Sequence, residues 1–447
     1  MQEDNKTLPE TPEQQETKPT QEAESIRVIP DTAFMREQIK QRPVNRRRLL
    51  RRTLLTVLLA VIFGVVATLT FILLEPALNR ALAPEGETTP DPVILEEPPA
   101  EEEVPPEALI REESELQREG EDTDVTQVLD SYVFDTEDYG EMMLSLRETA
   151  TQASRSMVTI TAVNSETRWS GDAMVTSGTT SGLIVSDNGY SYIILTDRDA
   201  IRNAAEIRVR FHNGTEAAGT YLSGDTETAL AIVTVPIAVF SVEQRADIPI
   251  ATLGRSSVNS LIGQPVIAIG EPVGVAGSIL YGAVTTNARS LSLPDMNLQL
   301  LSTDMTASHY SNGALLNLRG EVIGFRVPGL SSHLEEDVQT QLHYYGISAI
   351  RALVEHLSNG NTRALLGVYG AEVPADIREE EEIPHGAYIG RVEINSPAMA
   401  AGIQSGDVIT ALSGTEITGF SSLSQALFGH APEEAVQITL MRPGAEG

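Results

Sequence analysis

Apolar and polar side chains alternate in short runs from residue 156 onward, and this pattern predicts β-strands. The run Ser156–Val163 (SMVTITAV) alternates in this way and is rich in β-branched residues, as half-buried strands are. Similar runs recur with turn residues between them: SGLIVSDNGYSYIILT, EIRVRFHNGTEAAGTYLS, ALAIVTV, QPVIAIG, GSILYGAVTT, LQLLSTD, GALLNLRGEVIGFRV and YGIS. Many short strands at this spacing predict an all-β barrel or sandwich.

Helical patterns frame these strands. Tyr139–Ser154 shows an amphipathic helical pattern, and Ala349–Leu357 (AIRALVEHL) predicts a helix that closes the β region. The next residues, SNGNTRA, indicate a linker, and beyond them LLGVYGAEV and SPAMAAGIQSGDVITALSG begin a smaller mixed module. We therefore predict a β domain over residues 139–358 and a small α+β domain over residues 364–447.

The N-terminal part follows a different pattern. Residues 1–48 are mostly polar and predict a disordered tail that ends in a basic cluster, Arg42–Arg52. Thr53–Leu74 is uncharged and apolar on every side, long enough to cross a bilayer as one helix, and too far from the N-terminus for a cleaved signal peptide. We interpret it as a signal anchor. Arginines before it and glutamates after it predict a single-pass protein in the cell membrane with a cytoplasmic N-terminus and the remainder outside.

Residues 75–138 are predicted to form an acidic stalk. Within them Glu85–Asp124 is a Pro/Glu stretch whose like charges repel and whose prolines stiffen the backbone, so we expect it to be extended and disordered. A calcium-binding tail is an alternative, but a solvated spacer is favoured. The formal net charge of −32 argues against nucleic acid as a partner. The chain contains no cysteine and therefore makes no disulfide.

Four stretches, in order along the chain, resemble segments of the HtrA family. They are TSGLIVSDNGY, GQPVIAIGEPVG (Gly263–Gly274), STDMTASHYSNGALLNLRGEVIGF and SPAMAAGIQSGDVI (Ser396–Ile409). The family joins an anchored trypsin-like serine protease domain to a PDZ domain, and the resemblance covers roughly Ser154–Gly447. It implies a mainly β fold: two six-stranded β-barrels with the catalytic residues in the cleft between them, followed by a small α+β PDZ domain and preceded by one transmembrane helix.

The resemblance retains only one member of the catalytic triad. Ser311 occupies the nucleophile position. The histidine of the family segment Leu-Thr-Asn-Asn-His-Val-Val corresponds to Asp199 in LTDRDAI, and the aspartate of Asp-Leu-Ala-Val corresponds to Ala229 in ALAIVTV. A solvated carboxylate has a pKa near 4 and is a weak base toward a serine hydroxyl. Loss of the histidine alone lowers kcat of such an enzyme about 10⁶-fold.

The loop around the serine also departs from the family. Gly-Asn-Ser-Gly-Gly-Pro-Leu becomes HYSNGAL, so His309 takes a glycine position whose amide contributes to the oxyanion hole, and Ala314 takes the proline position. The loop ahead of Ser311 is one residue shorter. His309 could serve as a base only by folding back over the cleft, and His212 lies in a turn predicted to face solvent. No lysine occurs after residue 75, which excludes a serine–lysine dyad.

A second candidate site lies in the PDZ-like module. PDZ domains add a C-terminal peptide as a strand to a sheet edge and hold its carboxylate in a loop of amides. The resemblance assigns that loop and groove to Leu365, Leu366, Gly367, Val368, Leu423 and Leu427. Both helix leucines could equally be core residues. The family usually has another strand after VQITLMRPGAEG, so the PDZ sheet is expected to lack a strand or the sequence to be a fragment.

Three functions compete on these observations. The favoured one is a catalytically inactive, membrane-anchored HtrA homologue that binds unfolded or C-terminal peptides of exported proteins, or regulates an active relative. An active endopeptidase with a rearranged site and a structural cell-envelope protein are the alternatives. The residues suggest neither a metal site nor a cofactor. Members of the family commonly trimerise, so a homo-oligomer is consistent with the resemblance.

Overall fold

The computed structural model describes residues 90–99, 134–167, 173–335, 338–380 and 383–442. The predicted disordered tail, basic cluster and membrane-spanning segment lie outside the described residues. Within the described ranges no helix is both long and apolar enough to cross a bilayer.

Six strands of the described chain close into a first antiparallel barrel, in the order β1-β2-β3-β6-β5-β4. They are β1 (Met157–Thr167), β2 (Ala173–Asp187), β3 (Ser191–Asp197), β4 (Glu206–Arg210), β5 (Glu216–Gly224) and β6 (Leu230–Pro236). Strand alternation fills the barrel: in β4 only Ile207 and Val209 are buried, and they pack with Ile160, Ile194 and Val233. The strand predicted over Ser156–Val163 is thus observed as β1.

A second closed barrel follows, with its described strands in the order β10-β11-β12-β9-β8-β7. They are β7 (Pro265–Glu271), β8 (Ser278–Leu293), β9 (Met296–Thr306), β10 (Asn312–Leu316), β11 (Val322–Arg326) and β12 (Gln341–Gly346). Leu301, Leu315, Ile323 and Tyr344 fill part of its interior and are at most 1% exposed. The double barrel that the resemblance implied is confirmed.

The described helices lie outside the barrels or in the C-terminal module. They are α1 (Thr136–Ser154), α2 (Arg198–Ile201), α3 (Val242–Asp247), α4 (Ile347–Ser358), α5 (Ala375–Glu380), α6 (Pro397–Ala400) and α7 (Phe420–Leu427). Asp135 caps α1 by accepting the amides of Glu137 and Asp138, and Asp138 accepts the Asp135 amide in return. The predicted helices over Tyr139–Ser154 and Ala349–Leu357 correspond to α1 and α4.

The C-terminal module is a small sheet packed against helices. Its described strands, ordered β13-β14-β15-β16 with β17 also paired to β15, are β13 (Val368–Ala371), β14 (Ala387–Val392), β15 (Val408–Leu412), β16 (Thr415–Glu416) and β17 (Ile438–Met441). The core joins Leu366 and Val368 to Phe420, Leu423 and Leu427 of α7. Strand β13 lies at one end of this strand order.

Residues 90–99 lie inside the predicted stalk but dock on the barrel domain. Val93 and Leu95 are 3% and 8% exposed. The backbone of Val93 exchanges two hydrogen bonds with the Asn359 side chain, both 2.9 Å, and Arg351 donates to the Glu96 carbonyl at 2.6 Å. For these ten residues the prediction of a disordered stalk is wrong, because two buried apolar side chains and paired backbone groups anchor them. The other stalk residues before Phe134 lie outside the described ranges.

Candidate functional site

Ser311 lies in the turn between β9 and β10, and its side chain is completely buried. Its hydroxyl donates to the Pro272 carbonyl oxygen at 2.6 Å and accepts from the Ser308 amide at 2.8 Å. A hydroxyl has one proton to donate. Since that proton is held by a backbone carbonyl, the side chain is not presented to a base or to a substrate.

The amide of Ser311 is engaged as well. It donates to the Ser308 carbonyl at 3.0 Å, closing the turn on itself. An oxyanion hole needs this N–H aimed at the reacting oxygen of a substrate. The amide therefore satisfies the turn instead of forming half of an oxyanion hole.

His309 does not take the left-handed backbone conformation that a glycine in its position would favour. The described non-glycine residues with positive φ are Ala229, Asp295, Asn395, Ser413 and Glu433. The side chain of His309 is exposed, and its ring meets the Tyr310 ring edge-on with centroids 5.2 Å apart. The shorter loop thus follows another path that accepts a side chain here, and no histidine hydrogen-bonds to Ser311 in the described chain.

Asp199 lies in the first turn of α2 and faces solvent. Its side chain is 52% exposed and lies 3.4 Å from the Arg198 guanidinium and 3.5 Å from that of Arg202. Asp197 caps the same turn by accepting the Asp199 amide at 3.0 Å, and burial raises the pKa of Asp197 to about 6. A solvated carboxylate between two guanidinium groups is not an unpartnered buried base.

Ala229 is buried and held in the left-handed region, with φ of 57°. Its carbonyl accepts the Arg198 amide at 2.8 Å, and the preceding Thr228 donates its amide and hydroxyl to Asp225, each at 2.8 Å. A Cβ built on Gly329 would lie 2.6 Å from the Ala229 Cβ and 4.0 Å from an Asp199 carboxylate oxygen. The two positions that the resemblance assigns to the triad histidine and aspartate therefore lie near one another, and their side chains are an exposed carboxylate and a methyl group.

Buried polar side chains join the two barrels beside Ser311. Asn312 on β10 donates to the Thr180 hydroxyl of β2 at 2.7 Å and to the Ser181 carbonyl at 3.2 Å. Glu271 on β7 accepts from the Ser181 hydroxyl at 3.0 Å. Burial raises the pKa of Glu271, and the Ser181 hydrogen bond opposes that shift. These bonds link the barrels where a substrate cleft would run.

Two of these linking residues are departures from the family motifs that the sequence already contains. Asn312 stands where the family motif has the glycine after the serine, and Glu271 stands at the asparagine of its Val-Ile-Ala-Ile-Gly-Asn-Pro-Leu-Gly segment. Glycine has no side chain to cross the seam, whereas asparagine reaches the opposite barrel. The second glycine of the family motif is retained as Gly313. Its φ is 126°, and a Cβ there would lie 2.1 Å from the Ile269 carbonyl oxygen, so this position requires glycine.

A cavity of about 410 Å³ opens along the barrel seam, on the side of β1 and the β4–β5 turn. Ser181 and Gly270 line it, together with Arg210 and His212. Ser311 is not part of its lining. This cavity therefore does not give access to the serine.

The amide loop of the C-terminal module does converge on a carboxylate. The amides of Leu366, Gly367 and Val368 donate to the side-chain oxygens of Asp295 at 2.6–3.0 Å. Gly367 has φ of 83°, and a Cβ there would lie 2.4 Å from the Ser396 Cβ, so the loop requires glycine. This carboxylate comes from the barrel domain of the same chain.

The remaining assigned groove residues differ in exposure. Leu365 is 42% exposed. Leu423 and Leu427 are 0% and 4% exposed and belong to the core of the C-terminal module. The two leucines thus pack inside the module, as the alternative interpretation allowed.

Comparison with known proteins matches both domains. The trypsin-like peptidase domain family matches residues 180–325, and the PDZ domain family matches residues 357–446. A probable periplasmic serine endoprotease, DegP-like, of Hahella chejuensis is 31% identical over 281 residues, which are 60% of this chain and 55% of that protein. The serine protease Do-like HtrA of Bacillus subtilis is 27% identical over 299 residues, 60% of this chain and 62% of that protein.

The matched region spans less than two thirds of the length of either relative. Among solved structures, the HtrA-type protease AlgW with a decapeptide is 20% identical, covers 66% of this chain and 94% of its own, and gives a TM-score of 0.45. The two matched domains in this order, together with the sequence relatives, place this chain in the HtrA family of trypsin-like serine proteases with a PDZ domain.

Proposed function

We propose that this chain is a catalytically inactive HtrA homologue that binds peptides of exported proteins in a quality-control or regulatory role. The observation that carries the proposal is the state of Ser311: its hydroxyl donates to Pro272, its amide donates to Ser308, and Asp199 and Ala229 hold the other triad positions. Each of these four features removes a separate requirement of acyl transfer: in order, the free nucleophile, the oxyanion donor, the base and the orienting carboxylate.

The test of inactivity compares the full-length chain in detergent with its Ser311→Ala variant and with the Bacillus subtilis relative as an active reference. Casein cleavage and labelling by a fluorophosphonate are both measured. We expect neither cleavage nor labelling above the Ser311→Ala background. Cleavage that disappears in Ser311→Ala would establish an active endopeptidase and contradict the proposal.

Peptide binding is proposed for the C-terminal module. Its support is the loop Leu366–Val368, whose three amides hold a carboxylate, next to the edge strand β13. Binding is measured by fluorescence anisotropy with peptides that end in apolar residues. A free C-terminal carboxylate should bind, and the same peptide with a C-terminal amide should not. Equal binding of both would exclude recognition by this loop, and absence of all binding would favour a structural cell-envelope role.

The proposed location is the outer face of a membrane, held by the segment Thr53–Leu74. The uncharged run with arginines before it supports this location, and a relative bears the name of a periplasmic protease. Fractionation and protease protection of membranes test the proposal. Recovery of the full-length chain in the soluble fraction would contradict it.

Self-association is proposed through helix α1, as in the trimers of the family. Three large apolar side chains of α1 remain about half exposed, at 53% for Tyr139, 47% for Met142 and 62% for Leu144. Tyr139 and Met142 are three residues apart and share one face of the helix, and exposed apolar groups on one face commonly mark contact surfaces. Light scattering of the full chain in detergent distinguishes a trimer from a monomer, and a Met142→Glu variant should dissociate the trimer.

A further inference from the structure

A two-residue turn of the second barrel reaches into the C-terminal module. Strands β8 and β9 form a long hairpin whose turn is Pro294–Asp295. Asp295 is 2% exposed and has φ of 64°, an uncommon backbone conformation for a residue other than glycine. A charged residue at a hairpin turn normally faces solvent. Here it is completely enclosed by another domain.

The Asp295 carboxylate occupies the amide loop. Leu366 donates to Oδ2 at 2.6 Å, Gly367 donates to both oxygens at 2.9 and 3.0 Å, and Val368 donates to Oδ1 at 2.9 Å. Consecutive backbone amides around one carboxylate form the kind of nest that captures a peptide C-terminus. The side-chain carboxylate of Asp295 therefore stands where a terminal carboxylate of a peptide would bind.

The backbone of the turn also pairs with both walls of the groove. The Asp295 amide donates to the Val368 carbonyl at 2.7 Å, and the Asn297 side chain donates to the Gly370 carbonyl at 2.8 Å, so the edge strand β13 is engaged. On the opposite wall, Ser424 of α7 donates its hydroxyl to the Asp295 carbonyl. The turn thus lies between a sheet edge and a helix, as an added peptide strand does.

A buried arginine holds the turn in place. Arg363 donates to the Pro294 carbonyl at 2.9 Å and pairs with Asp225 at 2.8 Å, with both side chains at most 4% exposed. Arg363 lies in the segment predicted to be a plain linker between the domains. The turn is therefore fixed both by the groove and by the barrel domain behind it.

We infer that the Pro294–Asp295 turn is an internal ligand of the PDZ groove and that an external C-terminal peptide must displace it. The inference rests on the proposed peptide-binding function. A tethered competitor acts at a high effective concentration. If the docked form exceeds the open form by a factor of 10 to 100, the apparent affinity for a peptide falls by about the same factor.

The experiment uses the full-length chain with Asp295→Ala, and with Asp295→Asn as a variant that preserves shape. Asp304→Ala is the matched control, because Asp304 lies on the same hairpin and accepts a backbone amide, that of Ala283 at 2.8 Å, outside the groove. Hydrogen exchange of the 366–368 amides measures docking without a peptide. Anisotropy of a labelled decapeptide with an apolar, free-acid terminus measures access, and its C-terminal amide is the second probe. Melting curves identify variants that are not folded.

We expect both Asp295 variants to lose protection at 366–368 and to bind the free-acid peptide at least about tenfold more tightly, while Asp304→Ala behaves as the wild type. Unchanged protection in both folded Asp295 variants, or measurable peptide binding whose affinity equals that of the wild type, overturns the inference. Loss of protection without binding of any peptide supports the internal ligand and refutes the proposed peptide-binding function, so the two failures are distinguishable.

Discussion

Placing a histidine and an aspartate at the two predicted triad positions should not produce an active protease. The double variant Asp199→His/Ala229→Asp supplies the imidazole and carboxylate that the family motif contains. In an intact site these groups with the serine contribute about 10⁶ in kcat. We expect activity to remain far below that of the Bacillus subtilis relative, because the closed state of the Ser311 turn is independent of both substitutions.

The size of the remaining defect follows from the hydrogen bonds of Ser311. Its hydroxyl must leave the Pro272 carbonyl and the Ser308 amide, two bonds worth about 1 kcal/mol each in net terms. Its own amide must leave the Ser308 carbonyl before it can stabilise an oxyanion, and one missing oxyanion donor lowers kcat about 10²–10³-fold. Together these terms predict a rate about 10⁴-fold below that of an intact site.

The assay is fluorophosphonate labelling and casein cleavage by the double variant, with Ser311→Ala added to it as a blank. A further variant that also carries Asn312→Gly removes the bond to Thr180 across the barrels and should be the first to label. Labelling of the double variant at the rate of the active relative would refute the reasoning, because it would mean that the turn opens without cost.

Three other outcomes test the energetics of the neighbouring residues. Ala229→Gly should raise the free energy of unfolding by about 0.5–1 kcal/mol, measured from the denaturant midpoint. Removing the left-handed alanine relieves about 1–2 kcal/mol of backbone strain, and the greater conformational entropy of glycine in the unfolded chain offsets part of this gain. Asp197 has its pKa raised from 3.8 to about 6 in the folded state, so it stabilises the fold at low pH and loses about 3 kcal/mol of that contribution as the pH rises from about 4 to about 6. Asp197→Asn should remove this slope from the pH dependence of the melting temperature while keeping the cap, and an unchanged slope would contradict the assignment. Arg363→Met should cost about 3–5 kcal/mol because Asp225 then stays buried without its counter-charge, and adding Asp225→Asn should recover part of the loss; a loss below about 1 kcal/mol in denaturant titration would refute it.

The strands were predictable because alternation reports burial directly. In β1 and β4 the apolar positions read from the sequence are the buried ones, for example Ile160 and Val209. The assignment of Asp199 and Ala229 to triad positions remains a prediction from motif identities. The alternation of apolar and polar residues does not predict that each set of six strands closes into a barrel. Closure depends on pairings between distant strands, such as β1 with β4, whose partners are more than 40 residues apart.

The state of the serine was hidden for a different reason. Its partner, the Pro272 carbonyl, belongs to a loop that is 39 residues away in the chain. A motif shows that the serine is present but not where its hydroxyl points. The docking of residues 90–99 was not predictable from the sequence, because acidic residues dominate the pattern there and only two side chains, Val93 and Leu95, make the apolar contact.

The two family sites share one physical feature, which is that each is satisfied by groups of the chain itself. The serine hydroxyl donates a hydrogen bond to the Pro272 carbonyl, and the amide loop donates hydrogen bonds to the carboxylate of Asp295, which is 71 residues before Leu366. Asp225 connects these two regions. It accepts a hydrogen bond from Thr228, next to Ala229, and it pairs with Arg363. Arg363 in turn donates to the Pro294 carbonyl of the docked turn. Displacing the turn breaks the Arg363–Pro294 bond and leaves the Asp225–Arg363 pair to rearrange. Displacement of the turn by a peptide would therefore reach, through Asp225 and Thr228, the loop that carries Ala229.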